Sequence, residues 1–298
     1  MTIALFPGQG VQAPGMDGGL TDLAAEVFAT ASQVFEVDIA ELCREGSSGE
    51  ATLTSTLWAQ PAVLTCGVAA FRALSERGET FTAVAGHSVG EYAALVTAGT
   101  LDLADALRLI ALRAKATEDA VRLNPGGMLA VMRIERDVVE AICSKTGAAL
   151  AADNSSGQLV ISGSHDSLQK AQAAAEEAGA KCRTLEVAGA FHSPAMSPAA
   201  APLSAALSDV NFRSPEIEIW SATTAAPMSD PARIRQVLID QLESPVRFRE
   251  TLESTGAEHG NSFIDMGPGR VVGALAKRVV RDADIKFIAD LLPAGASS

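Results

Sequence analysis

The chain is short of positive charge. Lys and Arg total 23 against 36 Asp and Glu, a formal net charge of −13, and so cation-poor a protein has no broad basic footprint for a nucleic acid backbone. Nucleic acid is therefore not an expected partner, and any acidic partner has to find local basic patches. Cysteine is scarce as well. Cys43, Cys66, Cys143 and Cys182 include no Cys-x-x-Cys pair and fall inside periodic segments, which argues against a disulfide frame or a zinc site. They read as small buried hydrophobes in a reducing compartment. Met1 to Phe6 has no basic region and too short an apolar run for a signal peptide, and no apolar stretch elsewhere is expected to reach membrane-spanning length. The expectation is a soluble, cytoplasmic protein with no membrane partner. Histidine is limited to four residues, so each can be weighed on its own.

What is present is apolar chain in quantity. With 298 residues, 48% hydrophobic and 20% charged, the chain can bury a sizeable core as one large domain or two smaller ones. The most informative stretch is Ala83 to Gly99, AVAGHSVGEYAALVTAG. A short apolar run enters Gly86-His87-Ser88-Val89-Gly90, and an alanine-rich segment with good helix propensity follows. Strand, tight turn and helix in that order, with Gly-x-Ser-x-Gly at the turn, match a nucleophile elbow. The glycines allow a sharp turn, the serine hydroxyl projects from the sheet edge, and the helix N-terminus favours nearby negative charge. A plain glycine turn would look the same in isolation; Ser88 becomes the candidate nucleophile through its surroundings.

In chain order, Thr2 to Phe6 reads as a buried strand running into Pro7-Gly8-Gln9-Gly10, where an amide sits beside backbone that a ligand can approach. Helices are expected over Leu20 to Val34, Ile39 to Arg44, Gln60 to Glu76 and Leu101 to Leu123, with a polar loop at 46–49. The last helix has a stripe of Leu103, Leu107, Ile110 and Ala114. Periodicity alone reads Arg113, next to that stripe, as a cation snorkelling at the helix edge. After the break Asn124-Pro125-Gly126-Gly127 the expected order is strand (Met128 to Ile134), helix (Asp137 to Lys145), strand (Ala148 to Ala152), strand (Leu159 to Ser162), helix (Asp166 to Ala178) and strand (Cys182 to Val187). That βαββαβ order is ferredoxin-like. It predicts a subdomain at 126–190 inserted into a larger α/β domain of 1–125 and 191–298, with a ligand cleft between the two.

Beyond the insert comes Ala188-Gly189-Ala190-Phe191-His192-Ser193. His87 belongs to the elbow, His165 reads as part of a polar turn and His259 as part of a polar loop. A lone histidine is commonly structural, but His192 is the one placed to serve as a base for Ser88. A helix near Pro198 to Leu207, a strand Ile217 to Trp220 and a helix Pro231 to Gln241 follow. Then come Ser244-Pro245 at the start of another element, a strand Ser262 to Asp265, a helix Arg270 to Val280, a final strand Ile285 to Ala289 and a loose Pro/Gly/Ser tail. Lys277, Arg278 and Arg281 read as a solvated cationic face.

Taken together, FPGQGVQ at 6–12, GHSVGEY at 86–92, Arg113 after a leucine-rich helix, GQLVISG at 157–163, AGAFHS at 188–193, QLESPVRF at 241–248 and MGPG at 266–269 are one ordered set. The chain resembles the malonyl-CoA:acyl carrier protein transacylases and the related acyltransferase domains of polyketide synthases over nearly its full length. The resemblance implies an α/β-hydrolase-like large domain with a parallel sheet plus the inserted ferredoxin-like subdomain. It also implies ping-pong transfer of malonyl from a coenzyme A thioester, through a Ser88 ester, to the phosphopantetheine thiol of an acyl carrier protein, in fatty-acid or polyketide biosynthesis. His192 would be the base, oriented by the backbone carbonyl of Gln241 in place of a carboxylate. Gln9 and the N–H of Val89 would form the oxyanion hole, and Arg113 would hold the malonyl carboxylate. No cofactor or metal is implied, and a monomer is expected.

The same resemblance puts Phe191, Thr117, Asn154 and His87 in the substrate pocket. An aromatic before the histidine, here Phe191, goes with malonyl over methylmalonyl selection in polyketide acyltransferases. Two departures bear on specificity: Thr117 where relatives often carry methionine, and Ala152 where they often carry asparagine. These leave room for another extender unit. Docking of an acidic carrier protein is assigned to Lys181, Arg183, Lys277, Arg278 and Arg281. The competing readings are an editing thioester hydrolase using the same Ser-His pair and a noncatalytic carrier-docking module. Arg113 favours transfer of a dicarboxylic acyl group.

Overall fold

Ile3–Phe6 is an unbroken apolar strand with all four residues buried, as a strand covered on both faces must be. Ala4 and Phe6 enter one core while Ile3 and Leu5 enter another, the period-two alternation of a strand. In the computed structural model, which describes residues 1–292, this strand lies inside a six-stranded sheet. The order is Ala226–Met228, Glu218–Ser221, Ala83–Gly86, Ile3–Phe6, Ser262–Asp265, Asp284–Phe287. Every neighbouring pair is parallel except the edge pair of Ala226–Met228 with Glu218–Ser221. Parallel strands bring their carboxyl ends to one edge, where open α/β sheets bind ligands. Phe6, Gly86 and Asp265 end there, each followed by a glycine-containing turn.

The face of Ala4 and Phe6 is covered by helices that include Ala25–Phe35, Thr56–Glu76 and Leu103–Leu123. The single helix expected over Leu20 to Val34 is two, Leu20–Leu23 and Ala25–Phe35, broken at Ala24 with φ −140° and ψ 51°. Thr56–Glu76 begins ahead of the expected Gln60 because the Ser55 side chain caps it, accepting from Leu57 N at 3.3 Å. At 21 residues and mean hydropathy 1.2 this helix is long and apolar enough to cross a membrane, against the expectation from sequence. Yet 83% of that apolar window is buried inside the protein, so its hydrophobicity is that of a core helix.

A second sheet of four strands follows, in the order Ala149–Ser155, Gln158–Gly163, Gly127–Met132, Lys181–Thr184, with antiparallel pairing throughout. Helices Arg136–Thr146 and His165–Glu177 cover one face, enclosing Leu129, Val131, Ile142, Leu159 and Ile161. From the other face Met128, Ala152 and Val160 join the core that holds Ile3 and Leu5. The two sheets are therefore packed together, not merely tethered.

Their junction is polar and specific. Asp153 N donates to Val246 O and Val246 N to Ala151 O, each at 2.9 Å. The Asp153 side chain, buried at 1% exposure, accepts from Arg249 Nε at 3.0 Å and Nη2 at 2.8 Å and from Arg136 Nη1 at 3.3 Å. Arg136 also reaches Glu250 at 2.8 Å, and Arg247 pairs with Glu250 as well.

Other elements depart from expectation. Ser47–Ser48 and Ala51–Thr52 form a small ladder around the 46–49 loop. Ala226–Met228 is an unforeseen edge strand. His259 ends a helix, Phe248–His259, instead of lying in a polar loop, and its Nε2 is 2.8 Å from Glu218 Oε1. His165 opens its helix behind the Ser164 cap. The last strand is Asp284–Phe287, after which the chain turns into a short helix, Ile288–Leu291. The Pro/Gly/Ser tail lies outside the described residues.

Replacing Asp153 with Asn leaves two guanidinium groups without their buried anion. Unfolding free energy is expected to fall by about 1–3 kcal/mol in urea titrations, whereas a change below a few tenths would mean that the backbone pairing at Val246 holds the junction alone.

Candidate active site

The turn after Ala83–Gly86 is forced by close approach. A Cβ on Gly86 would sit 2.1 Å from the Gly90 carbonyl carbon, and one on Gly90 would sit 2.2 Å from Phe6 O, so no other residue fits either position. Ser88, between them, takes a left-handed backbone with φ 52°. Such strain in a non-glycine residue persists only where its surroundings over-determine it. Ser88 lies on a cavity of about 290 Å³ with the helix Gly90–Thr97 starting behind it.

His192 is also left-handed, at φ 56°. Its Nε2 is 2.8 Å from Ser88 Oγ and its Nδ1 is 2.9 Å from Gln241 O. A carbonyl can only accept, so Nδ1 carries the proton and Nε2 accepts the serine O–H. Burial, followed by the charge of Arg113 and by His87, pushes the imidazole down to about 3. It is neutral at pH 7, with Nε2 as its acceptor.

Arg113 is not at the helix edge, as its spacing beside the leucine stripe predicted. It is buried on a second line of the same helix with Ala106, Ile110, Thr117 and Ala120. Its Nη1 donates to Gln60 Oε1 at 2.6 Å, and its Nη2 donates to Ser88 Oγ and Gln241 Oε1, each at 3.2 Å. Among the described residues it makes no ion pair and its Nε has no partner. Burial lowers its pKa. A desolvated guanidinium held by neutral oxygens is prepared for an anion. Gln60, 1% exposed, was missed by sequence reasoning; its one signal was a polar residue entering an otherwise apolar helix.

The other expected residues fall as follows. Gln9 lines the cavity, and its Oε1 accepts from Thr56 Oγ1 at 2.8 Å, which leaves the amide NH2 as the unengaged end. Val89 precedes the helix Gly90–Thr97, where N–H groups lack intrahelical acceptors. His87 donates from Nε2 to Asn154 Oδ1 at 2.9 Å and is held neutral mainly by burial. That bond ties the elbow to the strand Ala149–Ser155. Phe191, Thr117 and Ala152 all line the cavity.

Of the cations, Arg278 reaches Gln158 Oε1 at 2.5 Å, joining the helix Val271–Val279 to the four-stranded sheet. Lys181 pairs in register with Met132, which pairs with Gln158, so Lys181 lies about 10 Å from Gln158 by strand spacing. Arg183 is exposed one pleat repeat further along, Lys277 is exposed on the helix, and Arg281 is nearly fully exposed beside Asp282. Among the described residues, ligand-type side chains converge at Glu218, Glu258 and His259. These do not line the cavity, and Glu218 Oε1 is already engaged by Trp220 Nε1 and His259.

The acyl transferase domain family matches residues 4–293. A malonyl CoA-acyl carrier protein transacylase of Bacillus subtilis (strain 168) is 38% identical over 286 residues, covering 93% of this chain and 90% of that protein. The structure of the malonyl CoA-acyl carrier protein transacylase from Coxiella burnetii superposes with a TM-score of 0.93 at 32% identity, covering 98% of this chain and 95% of that one. A malonyl-transacylase solved in complex with its type II polyketide synthase acyl-carrier protein superposes with a TM-score of 0.91 at 33% identity, covering 96% and 95%.

The depressed imidazole has a sign that can be tested. Between its folded value of about 3 and its ordinary value of 6.5, the unfolded chain binds a proton at His192 that the folded chain does not, so stability falls as pH falls through that window. Relative to His192→Gln, the wild type is expected to lose up to about 1.4 kcal/mol per pH unit below about pH 6. Urea titrations at pH 7, 6 and 5 measure the difference, and parallel curves would mean that His192 is solvated.

Proposed function

From the premise that the chain belongs to the acyl transferase domain family, we infer that it is a malonyl-CoA:acyl carrier protein transacylase. One observation carries this reading: a neutral Ser-His pair shares its cavity with a buried arginine that pairs with no carboxylate among the described residues. The pair fits acyl transfer in general, and the arginine restricts the acyl group to one ending in a carboxylate.

In the first half-reaction Ser88 Oγ bonds to the thioester carbonyl carbon while its proton passes to His192 Nε2. The Nδ1–H of His192 stays on the Gln241 carbonyl, which steadies the imidazolium without taking its proton. The oxyanion faces the Gln9 amide NH2 and the Val89 N–H; one such donor is worth ~10²–10³ in rate. Collapse breaks the carbon–sulfur bond, His192 returns the proton to sulfur, and free coenzyme A leaves. In the second half-reaction the carrier thiol gives its proton to His192, its sulfur attacks the Ser88 ester, and Ser88 departs with the proton. The first step exchanges a thioester for an ester and the second exchanges that ester for a new thioester, with no redox change in either, so no redox cofactor is required. Arg113 pairs two-pronged with the malonyl carboxylate, keeping the acyl chain aligned between one thiol's departure and the next one's arrival.

Phe191 beside His192 supports malonyl over a branched extender, although a methyl difference is worth only ~1–3 kcal/mol in such a pocket. The strand orders support reading the large sheet as α/β-hydrolase-like and the smaller one as an inserted ferredoxin-like subdomain. Unbridged cysteines fit a reducing cytoplasm. Arg278 at the four-stranded sheet and Lys181 in the same row offer an acidic carrier protein a local basic surface, with Arg183, Lys277 and Arg281 extending it.

Intact-protein mass tests the transfer. Wild type mixed with malonyl-CoA gains a malonyl adduct that carrier protein discharges, and Ser88→Ala gains none. An adduct lost to water without transfer would make the protein an editing hydrolase. For the docking surface, Lys181→Glu with Arg278→Glu is expected to raise the KM for carrier protein at least about threefold and to weaken its salt dependence. An unaltered KM removes both residues from the interface.

A further inference from the structure

Glu91 takes no part in the reaction described above, yet it is fully buried on the helix behind Ser88. A carboxylate in such a place is costly unless its oxygens are engaged. Its Oε2 accepts from Gln241 Nε2 at 2.7 Å, while its Oε1 has no partner. The Gln241 amide is the centre of a small relay. Nε2 donates to Glu91 and, at 3.3 Å, to Ser88 O; Oε1 accepts from Arg113 Nη2 at 3.2 Å. The main-chain carbonyl of the same residue receives His192 Nδ1–H.

An amide has one donating end and one accepting end, and Arg113 can only donate. Turned over, the Gln241 side chain would set NH2 against guanidinium. We propose that Glu91 is a positioning residue: by accepting from Gln241 Nε2 it fixes which end of that amide faces Arg113, and so holds both Arg113 and His192 in register with Ser88. The inference rests on the transacylase reading for its substrate assay.

The role needs an acceptor and not a charge. Burial raises the Glu91 carboxyl to about 7, opposed by the Ser221 and Gln241 side chains and by Arg113. A proton taken up at Oε1, the unpartnered oxygen, leaves Oε2 accepting from Gln241. Glu91→Gln, which keeps a carbonyl oxygen at this position, therefore serves as the conservative rescue, and Glu91→Leu removes the acceptor at similar volume.

The test compares kcat/KM for malonyl-CoA and acetyl-CoA, because a displaced Arg113 penalises the donor with a carboxylate more than the one without. Glu91→Leu is expected to lower malonyl-CoA turnover about 10–100-fold and the malonyl-to-acetyl ratio about tenfold, while Glu91→Gln stays within about threefold of wild type. In a Gln241→Leu background the Glu91→Leu change should add little, as expected of residues acting through one another. A folded Glu91→Leu with an unchanged ratio, or an additive double variant, overturns the proposal. Should Glu91→Leu fail to fold, Gln241→Leu removes the same amide from the other side and must lose the ratio itself, or the proposal fails. Labelling of Ser88 by diisopropyl fluorophosphate needs no acyl donor. If wild type ignores malonyl-CoA the transacylase reading falls, whereas the positioning role still stands or falls on whether Glu91→Leu labels at least about tenfold more slowly than Glu91→Gln.

Discussion

A guanidinium taken out of water without a counter-ion is the constraint around which this structure is arranged. Arg113 sits on the buried face of its helix with neutral oxygens from Gln60, Ser88 and Gln241 around it, and the Glu91 carboxyl meets it only through the Gln241 amide. Desolvation makes the cation strong toward any carboxylate that enters, and it also reaches the neighbouring base. The field of Arg113 adds to burial in holding His192 neutral. On the proposed mechanism one buried charge both selects the acyl group and, until a carboxylate pairs with it, disfavours the imidazolium at His192.

That arrangement needs a frame that does not yield, and two close contacts provide it. Gly90 lies where any side chain would strike the Phe6 carbonyl, so the elbow is locked to the first strand and Gln9 follows directly from it. The second contact is the Asp153 junction, which fixes the four-stranded sheet against the helix Phe248–His259. Asn154, next along that strand, then holds His87. The cavity is lined from both sides of this junction, by Met128, Ala152, Asn154 and Val160 of the four-stranded sheet and by Gln9, His87 and Ser88 beyond the strands of the larger one, so its shape depends on how the two sheets are packed.

The sequence disclosed most where sterics leave a single solution. Gly86 and Gly90 mark the elbow because no other residue fits, and the rarity of histidine singled out His192. It disclosed least where a polar residue is buried in an apolar helix. Gln60 and Glu91 are single departures from hydrophobic runs, and nothing local says that their partners come from Arg113 and Gln241, far along the chain. Periodicity alone misplaced Arg113 for a related reason, whereas the resemblance had put it in the site: a charged side chain beside an apolar stripe normally reaches water, and only tertiary oxygens make the buried line of Ala106, Ile110 and Thr117 tolerable. The helix Phe248–His259 was marked only at its start because its buried face is built partly from Thr251 and Thr255. Their hydroxyls bond back to Arg247 O and Thr251 O, so residues that read as polar pack as apolar ones.

The two half-reactions make a demand that this frame answers. The serine ester must survive while one thiol leaves and another arrives, and water, being smaller than either, cannot be excluded by size. It can be excluded by geometry. A thiol on a long pantetheine arm has room to reach the ester through the cavity that Ser88 and His192 line together. On the proposed mechanism a water near Ser88 finds its donor and acceptor directions contested by Arg113 and by the carboxylate paired with it. A cation paired to substrate is no longer free to orient a water for attack, and the Gln241 carbonyl holds His192 Nδ1 through an acceptor that carries no net charge. On that mechanism, selection of the acyl group and protection of its ester follow from the same charge.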